Sequence, residues 1–370
     1  MSLTTDLKTE AQRHGFDLVG ACPAVTPTGI HRFYEWISSG YSGEMSYISG
    51  RAKAYEHPAN VLAGVRSLLM LSMNYRTSDV SPTPDTTGRV SRYAWGGLDY
   101  HDVIHARLKK LVQFLKNRAP AAEARGVVDT APLLEREYAQ MAGLGWTGKN
   151  TLLINPRRGS WFFLAAILTT EELEYDDPFD MDHCGNCTAC LDACPTDAFP
   201  QPYVLEATRC ISYLTIELRE SIPTDLRRSI NNWVYGCDIC QEVCPWNRRA
   251  PQSSLEEFEP RLDLSPLNLL SLFSLTDDEF RLLFRKTPLW RSKRRGLLRN
   301  AAIVLGNQRT EAAIDALTKG LNDAESIVRS ACVWALGEIG TPKAIARLQR
   351  LQAEADEEVR REIEQALAAQ

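Results

Sequence analysis

Cysteines are the residues of this sequence whose spacing points most directly to chemistry. Eight of its ten cysteines fall within residues 184–244. The first run consists of Cys184, Cys187, Cys190 and Cys194, followed by Pro195. Bacterial ferredoxins hold 4Fe–4S clusters with this spacing, whereas a zinc site uses two separated Cys-x2-Cys or Cys/His pairs. The run therefore predicts iron–sulfur chemistry rather than zinc.

A second run predicts a second cluster. It consists of Cys237, Cys240 and Cys244, followed by Pro245. Cys210 is the nearby candidate for the missing fourth ligand. In two-cluster ferredoxins the cysteine before the proline ligates the other cluster. The sequence therefore predicts one 4Fe–4S cluster on Cys184, Cys187, Cys190 and Cys244, and another on Cys194, Cys210, Cys237 and Cys240.

The other residues of this kind have simpler interpretations. The segment between Cys210 and Cys237 is longer than a simple electron carrier needs, so a further group is expected to bind nearby. Cys22 and Cys332 lie in apolar surroundings, which favours buried core positions. His183 is interpreted as a loop residue rather than a ligand.

Composition limits the class of protein that carries these cysteines. The chain has 370 residues, 44% hydrophobic and 24% charged, which excludes the disordered and fibrous classes. Its net charge of −5 argues against a surface that coats nucleic acid throughout, but leaves room for a local basic face. The longest apolar run, Trp161–Leu168, is too short to span a membrane, and the N-terminal residues do not form a secretory signal. We therefore expect a cytoplasmic protein with reduced cysteines.

Apolar patterns indicate the elements that position this chemistry. Strand-like runs occupy residues 65–75, 127–128 and 161–168. Apolar residues recur at helical spacing at Ile104, Leu108, Leu111 and Leu115. We expect an α+β multidomain protein, with an α/β domain over 1–175, a ferredoxin-like domain over 176–255 and an all-α HEAT-like domain over 256–370.

The last of these domains contains an internal repeat of 31 residues. At this shift Ile314 falls on Ile345, and Gly306 falls on Gly337. Such repeats stack as paired short helices, although HEAT repeats usually have about 40 residues. A small HEAT-like solenoid is therefore expected, with two unrelated amphipathic helices as the alternative.

A basic stretch precedes this repeat. Residues 281–299 contain eight basic residues and no acidic one. The stretch predicts a face that binds nucleic acid through phosphates, and a merely solvated face is the alternative. The candidate contacts are Arg285, Lys286, Arg291, Lys293, Arg294, Arg295 and Arg299.

One carboxylate lies where a strand is expected to end. Asp129 follows Val127 and Val128, and a helix is expected to begin within residues 130–132. Ligand sites are common at strand ends in α/β domains. Asp129 is therefore either an acid of the active site or the cap of that helix, and the residues alone leave both interpretations open.

Five stretches resemble the epoxyqueuosine reductase family. They are SRYAWGGLDYHDV (91–103), residues 127–170 with VVDTAPLLEREYA and GWTGKN, HCGNCTACLDACPT (183–196), RCISYLTIE (209–217) and CDICQEVCPWN (237–247). The ferredoxin-type run alone would match many redox proteins, but its combination with DTAPLLEREYA and GWTGKN is specific. Together with the HEAT-like tail, the resemblance extends over nearly the whole chain.

The resemblance implies a cobalamin-dependent enzyme that reduces epoxyqueuosine to queuosine at the wobble position of tRNAs for Tyr, His, Asn and Asp, the last step of queuosine biosynthesis. Two 4Fe–4S clusters would pass electrons from an external donor to cobalamin bound by domain 1–175. The protein would act as a monomer without a membrane partner. Residues 281–299 would then form its tRNA face.

The resemblance also implies individual site residues. Asp129 corresponds to the family's proton donor, which burial beside the corrin would keep protonated. The glycines near Gly148 would let the corrin approach the backbone, whereas Gly143 has the alternative role of ending a helix. The implied cofactor-lining residues are Gly148, Lys149, Asn150, Thr151, Ser212, Tyr213, Asp238 and Ile239.

Three other functions fit parts of the sequence. A cobalamin-dependent reductive dehalogenase of a small molecule would share the two-cluster plan, but those enzymes typically carry a twin-arginine signal. A ferredoxin-type carrier on a scaffold explains the cysteines but gives the first 175 residues no role. A protein-interaction solenoid would explain only the tail.

Overall fold

The computed structural model describes residues 2–80, 82–351, 354 and 356–368. The helices are α1 (Leu3–Arg13), α2 (Ile30–Ser38), α3 (Ser46–Ser49), α4 (Tyr100–Arg118), α5 (Glu135–Met141), α6 (Ala189–Asp192), α7 (Ile211–Ile216), α8 (Thr224–Arg227), α9 (Ile239–Glu242), α10 (Leu269–Leu272), α11 (Asp277–Phe284), α12 (Lys293–Gln308), α13 (Ile314–Gly320), α14 (Ser326–Ile339), α15 (Pro342–Leu348) and α16 (Glu357–Ala368). The strands are β1 (Leu18–Pro23), β2 (Ser67–Asn74), β3 (Thr87–Val90), β4 (Ala124–Val128), β5 (Trp146–Thr147), β6 (Leu153–Ile154), β7 (Phe162–Thr169), β8 (Trp233–Tyr235) and β9 (Leu267–Asn268).

The chain folds into two compact units, each built from separated stretches. The first unit contains Met1–Ser78, Leu98–Glu206 and Ile239–Phe258. The second contains Asp79–Gly97, Ala207–Asp238 and Glu259–Gln370. The division into three domains along the sequence stays a prediction.

A four-stranded sheet in the order β1-β2-β7-β4 organises the first unit. All three strand pairs are antiparallel. Every residue of β2 is buried, because this central strand is covered on both faces. The strands expected at 65–75, 127–128 and 161–168 are thus present. The expected α/β domain is wrong in one respect: the antiparallel sheet makes this an α+β unit.

Helices cover the sheet of the first unit. Tyr138 and Ala139 of α5 pack with alternate sheet residues such as Met70 and Ala166. Residues Ile104, Leu108, Leu111 and Leu115 of α4 are buried, as their helical spacing predicts. A Cβ on Gly126 of β4 would lie 2.8 Å from Leu108 Cβ, so α4 packs tightly against the edge of the sheet. The sheet edge at β4 therefore fixes the start of the following loop.

The second unit combines a small sheet with the helical tail. Its sheet has the order β8-β3-β9. A shift of 31 residues places the start of α14 on the start of α16, and α13 on α15, so the predicted repeat is present. A Cβ on Gly306 would lie 2.9 Å from Ala335 Cα, and one on Gly337 would lie 2.9 Å from Ala366 Cβ. The repeated glycines therefore allow each long helix to approach the next.

No helix among the described residues is long and apolar enough to cross a membrane.

Candidate active site

Asp129 lies in the loop that follows β4. The Tyr100 hydroxyl donates a hydrogen bond to its Oδ2 atom at 2.5 Å. His101 Nε2 lies 2.8 Å from Asp129 Oδ1, and His101 Nδ1 lies 2.7 Å from Asp99 Oδ1. Asp99 caps α4 by accepting the backbone N–H of His101. The start of α4 therefore presents two donors to the carboxylate of Asp129.

His101 carries a positive charge in this cluster. Burial opposes the charged imidazole, but hydrogen bonds to Asp129 and Asp99 outweigh it and raise the pKa of His101 to about 10. The ring is therefore an imidazolium at neutral pH. Tyr100 stacks between this ring and Phe163, with centroid separations of 4.1 and 4.2 Å. The donors that face Asp129 are thus held in place by packing on the sheet.

A second carboxyl with an unusual environment lies near Asp129. Burial and the negative charge of Asp129 raise the pKa of Glu135 to about 7. Glu135 is the first residue of α5. At neutral pH this group is therefore shared between its acid and its carboxylate forms.

Two sequence expectations about Asp129 are wrong. Its side chain is 42% exposed, so the protein alone does not bury it. The following helix begins at Glu135 rather than within residues 130–132, and its N-cap residue is Leu134. Asp129 therefore does not cap that helix. Its printed hydrogen bonds go to Tyr100 and His101, which suits a chemical role better than a capping role.

Four cysteines of the first unit line a single cavity, and they are the four predicted to share a cluster. The cavity is lined by Lys149, Asn150, Ile154, His183, Cys184, Cys187, Ala189, Cys190, Cys244, Pro245 and Trp246. Its buried floor includes Trp146, Ile154 and Cys244. A set of four thiols around one apolar cavity fits the ligand chemistry of a 4Fe–4S cluster.

The thiols of this cavity are protonated without a metal. Burial, and then the neighbouring Cys244, raise the pKa of Cys190 to about 11. Metal binding to such thiols must therefore release protons. Among the described residues no group of three or more His, Cys, Asp or Glu is arranged to hold a single metal ion. His183 packs its ring edge-on to Trp146, with 4.9 Å between centroids, as expected for a loop residue.

The other four predicted ligands lie in different parts of the fold. Cys194 and Cys240 belong to the first unit, and Cys210 and Cys237 to the second. Cys194 Sγ accepts the backbone N–H of Ala198 at 3.4 Å. Cys210 is the N-cap residue of α7. Their joint ligation of a second cluster stays a prediction. Cys22 and Cys332 are buried, as expected.

The predicted corrin-lining residues are mostly engaged with their own chain. Lys149 Nζ donates to the carbonyl oxygens of Gly185 and Cys187 at 2.6 and 3.1 Å. Asn150 is buried and donates to Cys240 O at 3.3 Å. Within the second unit, Asp238 is buried and accepts the Arg92 N–H at 2.8 Å. Cofactor contacts by these residues stay a prediction, and in this structure backbone atoms would have to make most of them.

The glycines of this region have structural reasons to be glycine. Gly143 has a φ of +76° and follows the end of α5, so the expected helix end is present. A Cβ on Gly145 would lie 2.2 Å from Ile154 O, and one on Gly148 would lie 2.4 Å from Ile154 Cδ1. Close packing within the first unit therefore explains these glycines without a cofactor.

The predicted basic face loses one member. Arg299 is only 1% exposed, so it cannot contact tRNA. Its guanidinium donates to Leu214 O at 2.6 Å and to Leu218 O at 3.0 Å. It thus fills hydrogen bonds at the end of α7, where helical carbonyls lack partners within the helix.

Acidic residues from elsewhere in the second unit neutralise part of the same face. Ion pairs join Arg291 to Glu217 at 3.1 Å, Arg294 to Asp323 at 2.8 Å and Arg295 to Glu325 at 3.6 Å. Arg285, Lys286 and Lys293 are exposed, and among the described residues none of the three forms an ion pair. These three are the strongest remaining candidates for phosphate contacts.

Comparisons with known proteins agree with this arrangement. The 4Fe-4S double cluster binding domain matches residues 183–247, the family described as Epoxyqueuosine reductase QueG, DUF1730 matches 56–130, and HEAT repeats match 290–368. The expected iron–sulfur and HEAT-like parts of the chain are therefore confirmed at the level of family.

Similar proteins extend over nearly the whole chain. The epoxyqueuosine reductase of Pseudomonas aeruginosa is 40% identical over 344 residues, which cover 91% of this chain and 95% of that protein. A crystal structure of epoxyqueuosine reductase with a tRNA-Tyr epoxyqueuosine-modified tRNA stem loop is 32% identical, with a TM-score of 0.93 and coverage of 99% and 98%. The Bacillus subtilis enzyme, solved with its aspartate catalytic loop swung out of the active site, is 31% identical with a TM-score of 0.90 and the same coverage. This chain belongs to the epoxyqueuosine reductase family.

Proposed function

We propose that this protein reduces epoxyqueuosine to queuosine in tRNA. The observation that carries the proposal is the pairing, in one unit, of a four-cysteine cavity with an exposed carboxylate that faces an imidazolium. The 40% identity to a named epoxyqueuosine reductase and the likeness to a structure with a modified stem loop support it. A tRNA substrate also places the enzyme in the cytoplasm.

The reaction defines what the site must supply. Converting the epoxide to an alkene takes two electrons and two protons, and the oxygen leaves as water. A 4Fe–4S cluster transfers one electron at a time, so two clusters suit a two-electron reduction. Asp129 would deliver a proton to the departing oxygen, since the carboxyl is exposed and lies next to charged His101. A catalytic aspartate loop in the Bacillus subtilis relative supports this role.

The remaining parts of the proposal rest on the family resemblance. Cobalamin would be the reducing centre, and when bound it supplies strongly reducing cobalt. Gly148, Thr151, Ser212, Tyr213 and Ile239 would line it mainly through their backbone. The substrates would be the tRNAs for Tyr, His, Asn and Asp, and an external donor would supply the electrons to a monomeric enzyme.

Mass spectrometry of tRNA nucleosides tests the proposed reaction. Epoxyqueuosine-containing tRNA is incubated without oxygen with the full-length protein, cobalamin and a chemical reductant. We expect queuosine to accumulate at the expense of epoxyqueuosine, and only when protein and reductant are both present. Unchanged nucleosides with a cluster-loaded protein would contradict the proposed function.

Cys244→Ser is expected to damage the cluster of Cys184, Cys187 and Cys190, although Cys244 belongs to the other sequence run. The reason is that the four thiols line one cavity. We expect iron to fall from about eight to about four atoms per chain, as measured after anaerobic reconstitution. Cys332→Ala is the matched control, because Cys332 is buried away from that cavity. Unchanged iron and spectra in Cys244→Ser would exclude the crossed ligation.

Charge reversal at Arg285, Lys286 and Lys293 is expected to weaken the salt dependence of tRNA binding. Each phosphate contact contributes roughly 0.7–0.9 to the slope of log K against log salt concentration. We therefore expect the slope to fall by about two units in the triple variant, as measured by fluorescence anisotropy. Reversal of the exposed Lys109 and Lys110 on α4 is the control. An equal slope in the triple variant and the parent would remove these residues from the tRNA face.

A further inference from the structure

Lys149 places a positive charge against the loop that carries three cysteines of the cavity. Its Nζ atom donates to the carbonyl oxygens of Gly185 and Cys187, at 2.6 and 3.1 Å. Both acceptors lie in the stretch between Cys184 and Cys190. The side chain also lines the cavity itself. The ammonium group is therefore part of the turn that surrounds the proposed cluster.

The backbone around Lys149 holds this charge in position. Lys149 O accepts the N–H of Tyr203 at 3.0 Å. The next residue, Asn150, is buried and donates to Cys240 O at 3.3 Å. Gly148 N donates to Leu152 O at 2.8 Å. Contacts on both sides of Lys149 thus leave the ammonium group little freedom to leave the cysteine loop.

A negative charge lies on the same loop. Asp182 Oδ1 accepts the backbone N–H of Cys184 at 2.7 Å. The Tyr203 hydroxyl donates a hydrogen bond to the carboxylate of Asp182. Tyr203 therefore contacts both the backbone of Lys149 and the side chain of Asp182. The cysteine loop is flanked by one fixed cation and one fixed anion.

We propose that Lys149 raises the reduction potential of the cluster held by Cys184, Cys187, Cys190 and Cys244. Reduction adds a negative charge to the cluster, and a nearby cation stabilises the reduced state more than the oxidised state. Net charge and hydrogen bonding around the sulfur ligands are the protein's means of setting such potentials. Lys149 thereby makes this cluster easier for an electron donor to reduce. The inference rests on the cluster ligation in the proposed function.

An EPR-monitored redox titration of the full-length, reconstituted protein tests this role. The signal of this cluster is identified as the one that Cys244→Ser alters. Lys149→Gln can still donate to both carbonyls but removes the charge, whereas Lys149→Arg keeps the charge. We expect the reduction equilibrium of Lys149→Gln to become at least about tenfold less favourable, a shift of about 59 mV to lower potential for one electron. Lys149→Arg should stay near the parent value.

Matched variants separate this electrostatic role from a structural one. Asp182→Asn retains an acceptor for Cys184 N–H but removes the anion, so its potential should shift upward. Lys110→Gln makes the same charge change on the exposed surface of α4 and should leave the potential unchanged. If Lys149→Gln fails to hold its cluster, the direction of the Asp182→Asn shift decides. A parent potential in Lys149→Gln with full iron content overturns the inference alone. A parent protein that binds no cluster overturns the proposed function as well.

Discussion

Asp129→Asn is expected to lower the turnover of epoxyqueuosine-containing tRNA by at least about 100-fold, the range that a lost general acid typically costs. Asparagine has nearly the same shape and can still accept hydrogen bonds from Tyr100 and His101 through Oδ1. It has no ionisable proton to deliver to the leaving oxygen. The measurement is queuosine formation in single-turnover reactions, followed by mass spectrometry of the nucleosides.

His101 explains how an exposed aspartate can serve as an acid. The sequence-based expectation was that burial beside the corrin keeps Asp129 protonated. The structure instead places an imidazolium 2.8 Å from Asp129 Oδ1, and the pKa of this histidine is raised to about 10. A proton is thus stored one hydrogen bond behind the carboxylate. Asp99, on the other ring nitrogen, holds the imidazolium in the required orientation.

Two comparisons make the Asp129 experiment decisive. Asp102→Asn changes an exposed aspartate in the first turn of α4 and should retain the parent rate. Iron content and tRNA affinity of Asp129→Asn should equal those of the parent, which separates chemistry from folding. Turnover at the parent rate would transfer the acid role to another group. Glu135 would then be the first candidate, because its pKa is raised to about 7.

Local patterns explain why the elements were predictable. The apolar residues of α4 recur at helical spacing and all face the sheet, so their period alone indicates the helix. The strands β2 and β7 are continuous apolar runs because both are central in the sheet. Strand direction has no comparable local signal, so the antiparallel order was missed.

The partners of Asp129 could not be read from spacing. His101 lies 28 residues before Asp129 in sequence, and it meets the carboxylate only because α4 begins beside the end of β4. The motif SRYAWGGLDYHDV, which carries Tyr100 and His101, was noted only as part of the family resemblance. Polar residues clustered at a helix start within such a motif were the available signal. Glu135 had no signal, since its shifted pKa depends on the folded surroundings.

Charge predictions failed for a related reason. A sequence window counts only the charges within it, whereas Glu217, Asp323 and Glu325 reach the basic stretch through the fold. Three of the seven candidate arginines and lysines are neutralised in this way. A fourth, Arg299, is buried. Charge density along a sequence is therefore an upper limit on the charge of the folded face.

Arg299→Ala is expected to destabilise the second unit rather than weaken tRNA binding. The guanidinium donates to the carbonyls of Leu214 and Leu218 and to Asn300 Oδ1. A buried acceptor left without its donor costs about 1–3 kcal/mol, so we expect a loss of about 3–5 kcal/mol. For a unit of this size that corresponds to a decrease in Tm of roughly 10 °C. Circular dichroism at 222 nm measures it.

The neighbouring arginine supplies the control for this prediction. Arg295 is 39% exposed and lies 3.6 Å from Glu325, and such surface ion pairs contribute only about 0–1 kcal/mol. Arg295→Ala should therefore change Tm by no more than a few degrees. Below its Tm, Arg299→Ala should show the parent slope of log K against log salt, because a buried guanidinium releases no counterion from a phosphate. An unchanged Tm together with a reduced slope would return Arg299 to the tRNA face and contradict its buried position.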